Sequence, residues 1–325
     1  MTKTLLVGFL IAVGLVAAAV QPAMADSKGK RVAFLVSSTK NPFVATVATT
    51  MEKEADARGM KVVVLSANYD AAIQAQQINE AVAQKFDLIA VLPLDPRAIV
   101  PALTRAKDAR IPIVIVNSTI DPAYDYLFLS FVGEDHEMLG RIAGESLIRA
   151  ATDRTSVKVA IISGTLAEST PQKRIKGFRD AVASEPKIQI VATEDARWDM
   201  ANSERIASQL FARYAAQGGL DAVFAMADNM AHGVIQAAKA ADIPLGTAQG
   251  KLIVVSSNCL KFGIDHIKAG EQYSTAAQMP GRTGKAVIDL IASHFDGKSV
   301  PRQEILPTEA ITKANLATYA GPCSF

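Results

Sequence analysis

The sequence predicts an α/β protein built as two doubly wound parallel-sheet domains. Three observations carry that prediction. Short apolar runs rich in β-branched residues alternate with helical patterns, the signature of strand–helix–strand units around a parallel sheet. The alternation runs twice along the chain with the same rhythm. And 325 residues are more than one continuous core of this kind usually holds, so the halves are expected to fold as separate domains.

The chain opens on Lys3, an apolar run from Leu5 to Val20, and Ala23-Met24-Ala25. That order reads as an export signal cleaved near Ala25, residues 1–25, which leaves a mature chain beginning at Asp26 and placed outside the cytoplasm. A membrane anchor is the competing reading; Pro22 and the small-residue site follow the apolar run at once, and no cysteine stands there for lipidation. Val32–Val36, Lys61–Leu65, Leu88–Leu92 and Ile113–Val116 read as buried strands, with helices over 42–58, 70–85 and 96–109 between them. Leu127–Val132 then leads through Gly133-Glu134-Asp135 into a helix over 135–151. The second series is Val157–Ile162, Ile188–Val191, Ala222–Met226 and Ile253–Ser256, with helices over 170–184, 199–216 and 228–240. A helix over 261–269, a strand at Tyr273–Gln278, a helix at Gly281–His294 and extended pieces over 305–312 follow. These last elements read as crossings that complete both sheets.

Asn41-Pro42 gives α-helix capping chemistry: a side-chain acceptor followed by a proline whose missing N–H costs nothing at the first helical position. The turn therefore sets Asn41 and Phe43 at the carboxyl end of a parallel strand, the edge where open α/β sheets bind ligands. Asn117, Asn258 and Gln278 each end an apolar strand, and an amide offers both a donor and an acceptor, which suits hydroxyl-rich molecules. Trp198, the single tryptophan, sits on the polar loop Asp195 to Asp199 and could stack on the C–H face of a sugar or fold back on its own domain. Asp228 reads first as the N-cap of the following helix, and Arg174 as a hydroxyl clamp or a surface partner of Glu168.

Net charge excludes other classes. Removal of Lys3 with the leader lowers the formal charge from +2 to +1, and no block of like charge occurs, so nucleic acid and anionic membrane are not expected partners. No G-x-S-x-G, HExxH, G-x-G-x-x-G or P-loop is present, and Gly246 to Lys251 has the wrong glycine spacing for the last. His136, His232, His266 and His294 fall on separate helices without acid or cysteine at ligand spacing, and read as surface or helix-end residues rather than metal ligands. No enzyme activity, cofactor or metal is expected. Cys259 and Cys323 form either one disulfide or two separate thiols, since sequence does not fix the distance between them.

The segments VAFLVSSTKNPF (32–43), DLIAVLPLDPRAI (87–99), IPIVIVNS (111–118), GEDHEMLGRIAGESL (133–147), KRIKGFRDAV (173–182), WDMANS (198–203), AVFAMADNMAHGVIQA (222–237), IVVSSN (253–258) and TAAQMP (275–280), in this order, resemble the periplasmic sugar-binding proteins of the ribose-binding type. The resemblance covers essentially the whole mature chain. It implies two domains joined by a three-strand hinge, residues 26–131 with 279–308 forming the N-terminal lobe and 132–278 with 309–325 the C-terminal lobe. It also implies a monomer that closes on one small neutral sugar or polyol and delivers it to an ABC permease, with a sensor role feeding a chemoreceptor or sensor kinase as the alternative. Residue by residue, it assigns ligand contact to Asn41, Phe43, Asn117, either Gln172 or Arg174, Trp198, Asp228, Asn258 and Gln278. The chain departs from the pattern where Val44 replaces a second aromatic, Asn117-Ser118 an Asp-Arg pair, Ala227 an asparagine and Asn258 an aspartate, so the pocket's charges are thinned.

Overall fold

The computed structural model describes residues 26–323 and 325; the leader expected over residues 1–25 lies outside the described residues. Each half of the chain builds a six-stranded sheet, as the repeated rhythm predicts. The first holds β1 (Arg31–Val36), β2 (Lys61–Ser66), β3 (Leu88–Val91), β4 (Ile113–Val116), β5 (Ser130–Glu134) and β11 (Gln303–Leu306) in the order β11-β5-β4-β3-β1-β2, all parallel. The second holds β6 (Val157–Ser163), β7 (Ile188–Asp195), β8 (Ala222–Ala225), β9 (Ile253–Ser257), β10 (Ser274–Ala276) and β12 (Ala310–Thr312) in the order β12-β10-β9-β8-β6-β7, with only β12 antiparallel.

Both faces of the first sheet are covered, which is why its strands are apolar without alternation. Val32, Phe34 and Val36 of β1 pack beneath α1 (Pro42–Asp56) and α9 (Pro280–Phe295). Ala33 and Leu35 face the layer of α2 (Ala71–Ala83) and α3 (Val100–Asp108). The second lobe has one large core in which α4 (His136–Ala150), α5 (Ser169–Val182), α6 (Met200–Ala215) and α7 (Asp228–Ala240) flank the strands. The helix α8 (Lys261–Ala269) and the short α10 (Leu316–Tyr319) close a satellite cluster around the chain's end.

The chain passes between the sheets after Glu134, between Ala276 and Pro280, and between Leu306 and Ala310. These three crossings lie side by side and form the hinge that the resemblance implies. Local chemistry moved several boundaries. Asp95 accepts from the N–H groups of Arg97 and Ala98, which makes 95–98 a turn and delays α3 to Val100. Asp121 and Pro122 start a 3₁₀ turn, Pro122–Leu127, so the strand expected from Leu127 begins at Ser130. Gln278 lies beyond β10, in the crossing itself.

Cys259 and Cys323 are bonded, with Cα atoms 5.2 Å apart, which decides between the two states left open by the sequence. The bridge closes a 64-residue span and ties the end of the chain to the loop after β9. Closing a loop of this order contributes about 2–4 kcal/mol by restricting the unfolded chain. Urea unfolding with and without reductant, or of Cys323→Ser, should show a loss of that size; an unchanged midpoint would mean that the bridge adds nothing.

Candidate functional site

Residues that end strands of both sheets meet between the lobes in one buried hydrogen-bonded chain. Arg174, in the second turn of α5, is 1% exposed. Its Nη1 donates to the carbonyl of Met226 (2.6 Å), after β8, and to Oδ1 of Asn258 (3.0 Å), after β9. Its Nη2 donates to Oε1 of Gln278 (2.6 Å) in the second crossing. Gln278 passes the chain to the first lobe: its Nε2 donates to Oδ1 of Asn117 (2.7 Å), after β4, and to Oε2 of Glu134 (3.2 Å), at the end of β5. His136 closes the ring. Arg174 Nε donates to its Nδ1 (3.3 Å), so the proton sits on Nε2, which donates to the Asn117 carbonyl (2.9 Å).

Burial dominates the electrostatics. It pushes the Arg174 guanidinium down to about 10, against the pull of Glu134, Asp228 and Glu168. It pushes Glu134 up to about 7, although Gln278, Arg282 and Arg174 favour the carboxylate. His136 falls well below its ordinary value because it is buried beside Arg174, and is neutral. The direct partners of Arg174 are themselves neutral, so a charge is held here by dipoles.

Beside this chain opens a cavity of about 670 Å³. Lys40, Asn41 and Tyr69 line it from the first lobe, Trp198, Asp195 and Asn202 among others from the second. The Arg174 guanidinium lies 5.6 Å from the centre of the Trp198 ring, so cavity and buried chain adjoin. At one edge the lobes touch directly: Ser118 Oγ and Thr170 Oγ1 are 2.8 Å apart, the Thr119 N–H donates to Ser169 Oγ (3.1 Å), and Lys173 Nζ donates to Thr119 Oγ1 (2.9 Å).

The structure brings Asn117, Arg174, Asn258 and Gln278 together and sets Asn41 and Trp198 on the cavity wall. Asn41 also caps α1, its Oδ1 accepting from the N–H groups of Phe43 and Val44. Between Gln172 and Arg174 the placement is unambiguous, because Gln172 is exposed and donates to the Leu166 carbonyl. Phe43 is 3% exposed and packs in the first lobe's core; as the second helical residue it follows the capped turn inward. Asp228 stands away from the cavity, with Ala227 rather than Asp228 at the cap position of α7. Its carboxyl accepts from Ser256 Oγ, Gln272 Nε2 (3.0 Å), Thr275 Oγ1 (3.0 Å) and the Leu260 N–H (2.8 Å), a set that anchors the loop after β9. Trp198 is 9% exposed and combines both readings of it: one side packs so close to Gly164 that a Cβ there would lie 1.9 Å from the ring, and another side lines the cavity.

Sequence reasoning passed over Glu134, His136, Glu168 and Tyr69. Glu134 ends a parallel strand, the same signal that found Asn117. His136 was expected at a surface or helix end; it does begin α4, but that helix starts inside the hinge and buries it. Glu168, in one of the two readings of Arg174 its surface partner, is buried and accepts instead from the Trp198 indole Nε1 (2.9 Å).

The periplasmic binding protein domain family matches residues 32–299. The chain belongs to that family. It is 27% identical over 263 residues to the ribose import binding protein of Haemophilus influenzae, covering 80% of this chain and 85% of the relative. It is 29% identical over 269 residues to a putative rhizopine-binding protein of Rhizobium meliloti, covering 81% and 83%. In fold it superposes on a galactofuranose binding protein with a TM-score of 0.85 at 20% identity, covering 90% of this chain and 98% of that one. A Caulobacter myo-inositol binding protein gives 0.83 at 22% identity, covering 90% and 95%. The family is one of solute-binding proteins, and the fold is the one that the resemblance implies.

Glu134 gives this family member a measurable pH signature. A carboxyl whose folded pKa is raised stabilises the fold fully below its unfolded value and loses that contribution as pH rises through the folded one. Relative to Glu134→Gln, the wild-type protein should lose up to roughly 1.4 kcal/mol of stability per pH unit between about pH 4.5 and about 7. Parallel urea titrations of the two proteins across that window check it; curves that run parallel would place the proton elsewhere.

Proposed function

We propose that this protein is the exported solute-binding component of an ABC importer and traps one small neutral sugar or polyol between its lobes by hinge closure. The observation that supports this best is the chain Arg174–Gln278–Asn117, which joins a second-lobe helix, a crossing segment and a first-lobe strand end through neutral amides. The amide oxygens are satisfied within that chain, which fixes the side chains so that the remaining amide N–H groups of Asn117 and Asn258 can serve as oriented donors to hydroxyls. Trp198 supplies an apolar wall for the C–H face of a ring. Relatives named for ribose, xylitol and galactofuranose fall within the same chemistry.

Ligand that touches both walls holds the closed form by its differential affinity for that form, and the closed shape is what an inner-membrane permease recognises. The protein acts in the periplasm as a monomer, with Asn41, Asn117, Arg174, Trp198, Asn258 and Gln278 at the ligand and Phe43 behind the first-lobe wall. It performs no chemistry on what it carries.

Titration of the mature protein with D-ribose, xylitol, myo-inositol, D-allose and D-fucose, followed by Trp198 fluorescence and thermal stability, should give a saturable response with at least one. A response only to amino acids or nucleosides would replace the ligand class. Asn41→Ser separates the two duties of Asn41. Serine caps as well as asparagine, so stability should change by less than about 0.5 kcal/mol. Loss of the amide should still weaken sugar binding about tenfold, the value of one good hydrogen bond. Unchanged affinity would make Asn41 a helix cap alone.

A further inference from the structure

The two lobes carry the same short turn at the same place. β2 and β7 are edge strands, paired with β1 and β6 in their two sheets. Ser66-Ala67-Asn68-Tyr69-Asp70 leaves the first, and Asp195-Ala196-Arg197-Trp198-Asp199 leaves the second. Both alanines are fully buried, and their N–H groups donate to the carbonyls that end the paired strands, Val36 (3.0 Å) and Ser163 (2.9 Å). The next two residues are left-handed in each turn: Asn68 with φ +49° and Tyr69 with φ +64°, Arg197 with φ +53° and Trp198 with φ +60°. Each aspartate then donates its N–H back to the alanine carbonyl and caps the helix that follows, α2 or α6. Tyr69 is therefore the first-lobe counterpart of the tryptophan that walls the cavity in the second lobe. Paired left-handed residues other than glycine are costly, and such strain collects where a ligand is clamped.

The side chain is placed to use that position. Tyr69 lines the same cavity as Trp198 and is 38% exposed, whereas Phe43, the aromatic of the neighbouring first-lobe turn, is packed in the core. One exposed tyrosine is ordinary on a loop. This one has its hydroxyl beside the side chain of Asn41, itself on the cavity wall, and within electrostatic reach of Glu168 and Asp199 in the other lobe. Burial pushes the phenol up to about 12, so the hydroxyl end is turned into the cleft while the rest of the side chain keeps contact with solvent.

We infer that Tyr69 is a ligand-contacting residue, whose ring forms the first-lobe aromatic wall of the cavity that Trp198 walls from the second lobe and covers a C–H face of the bound sugar or polyol. The inference rests on the sugar-or-polyol reading above. Because the two turns belong to different lobes, a small ligand reaches both rings only in the closed form. The pair thereby adds to the differential affinity that drives closure.

Phenylalanine keeps the ring and removes the hydroxyl. Asparagine removes the ring and suits the left-handed backbone, as Asn68 does beside it. With the same five probes, Tyr69→Phe should bind within about threefold of wild type, and Tyr69→Asn about tenfold or more weaker. Without ligand, Tyr69→Asn should melt within about 3 °C of wild type, because the fold makes little use of the ring. Wild-type affinity in Tyr69→Asn would overturn the inference. Equal losses in both variants would overturn it as well, by assigning the contact to the hydroxyl rather than the ring. So would a ligand-free melting temperature of Tyr69→Asn lowered well beyond that window, since the ring would then belong to the fold. Silence of the wild-type protein towards all five probes would overturn the sugar reading instead. Tyr69 is then decided by the same variants titrated with whichever amino acid or nucleoside responds, a tenfold loss in Tyr69→Asn supporting the contact and equal affinity refuting it, and by the ligand-free melting comparison, which needs no ligand at all.

Discussion

Everything between the lobes depends on where the guanidinium of Arg174 is placed. A cation taken out of water must be compensated, and here the direct compensation comes from a backbone carbonyl, two amide oxygens and an imidazole nitrogen. Acidic groups stand only at a distance from it, at Glu134, Asp228 and Glu168. The consequence is geometric. An ion pair tolerates rotation about one contact, whereas a planar fork satisfied by separate neutral acceptors holds each of them in register. Those acceptors belong to the ends of β8 and β9 and to a hinge crossing, so one side chain sets the relative position of three segments.

The same constraint explains the two asparagines that depart from the family pattern. Asn117 has φ +62° and Asn258 φ +98°, backbone conformations that asparagine tolerates better than most side chains. Each strand end turns sharply to bring its amide inward, and each amide then bonds into the Arg174–Gln278 chain. A carboxylate at either place would pair directly with the guanidinium, or with the amide next to it, and concentrate charge beside the cavity. Around Asn258 the loop is pinned from several sides: Leu260 N–H bonds Asp228, Lys261 N–H bonds the Phe325 carbonyl, and Cys259 is tied to Cys323. The end of the chain thus supports a site residue it never touches.

Fold and site were legible to different depths. Period and composition specify buried parallel strands, and the double series of Val32–Val116 and Val157–Ser256 had no other reading. Strand-end position singled out Asn41, Asn117 and Asn258 as candidates, because ligand edges and strand ends coincide in this architecture. What stayed hidden is whatever depends on which way a residue turns after the strand. Phe43 and Asn41 are two residues apart, yet the capped turn sends one into the core and leaves the other on the cavity wall. Asp228, one residue from a position where the pattern has a ligand contact, is captured by four donors of its own lobe. Burial likewise turned His136 and Glu168 from plausible surface groups into neutral interior ones, and no local pattern of charge announces that.

Neutrality of these interior acids and bases is what makes closure reversible under the proposed mechanism. If Glu134, His136 and Glu168 were all charged at neutral pH, closing the lobes would strip water from each, and recovering that penalty would need fixed ion pairs across the hinge. Such pairs would hold the lobes shut with or without ligand. With His136 neutral and both carboxyls raised toward neutral pH, the contacts named between lobes are single hydrogen bonds to neutral acceptors, such as Ser118 with Thr170, Gln278 with Asn117 and the Lys173 ammonium with Thr119. Net contributions of about 0.5–1.5 kcal/mol each leave the balance close enough for a small ligand to tip. Under the proposed function a site that responds to a few hydroxyls keeps its own charges few, and the thinning seen at Asn117 and Asn258 goes with the raised carboxyls of Glu134 and Glu168.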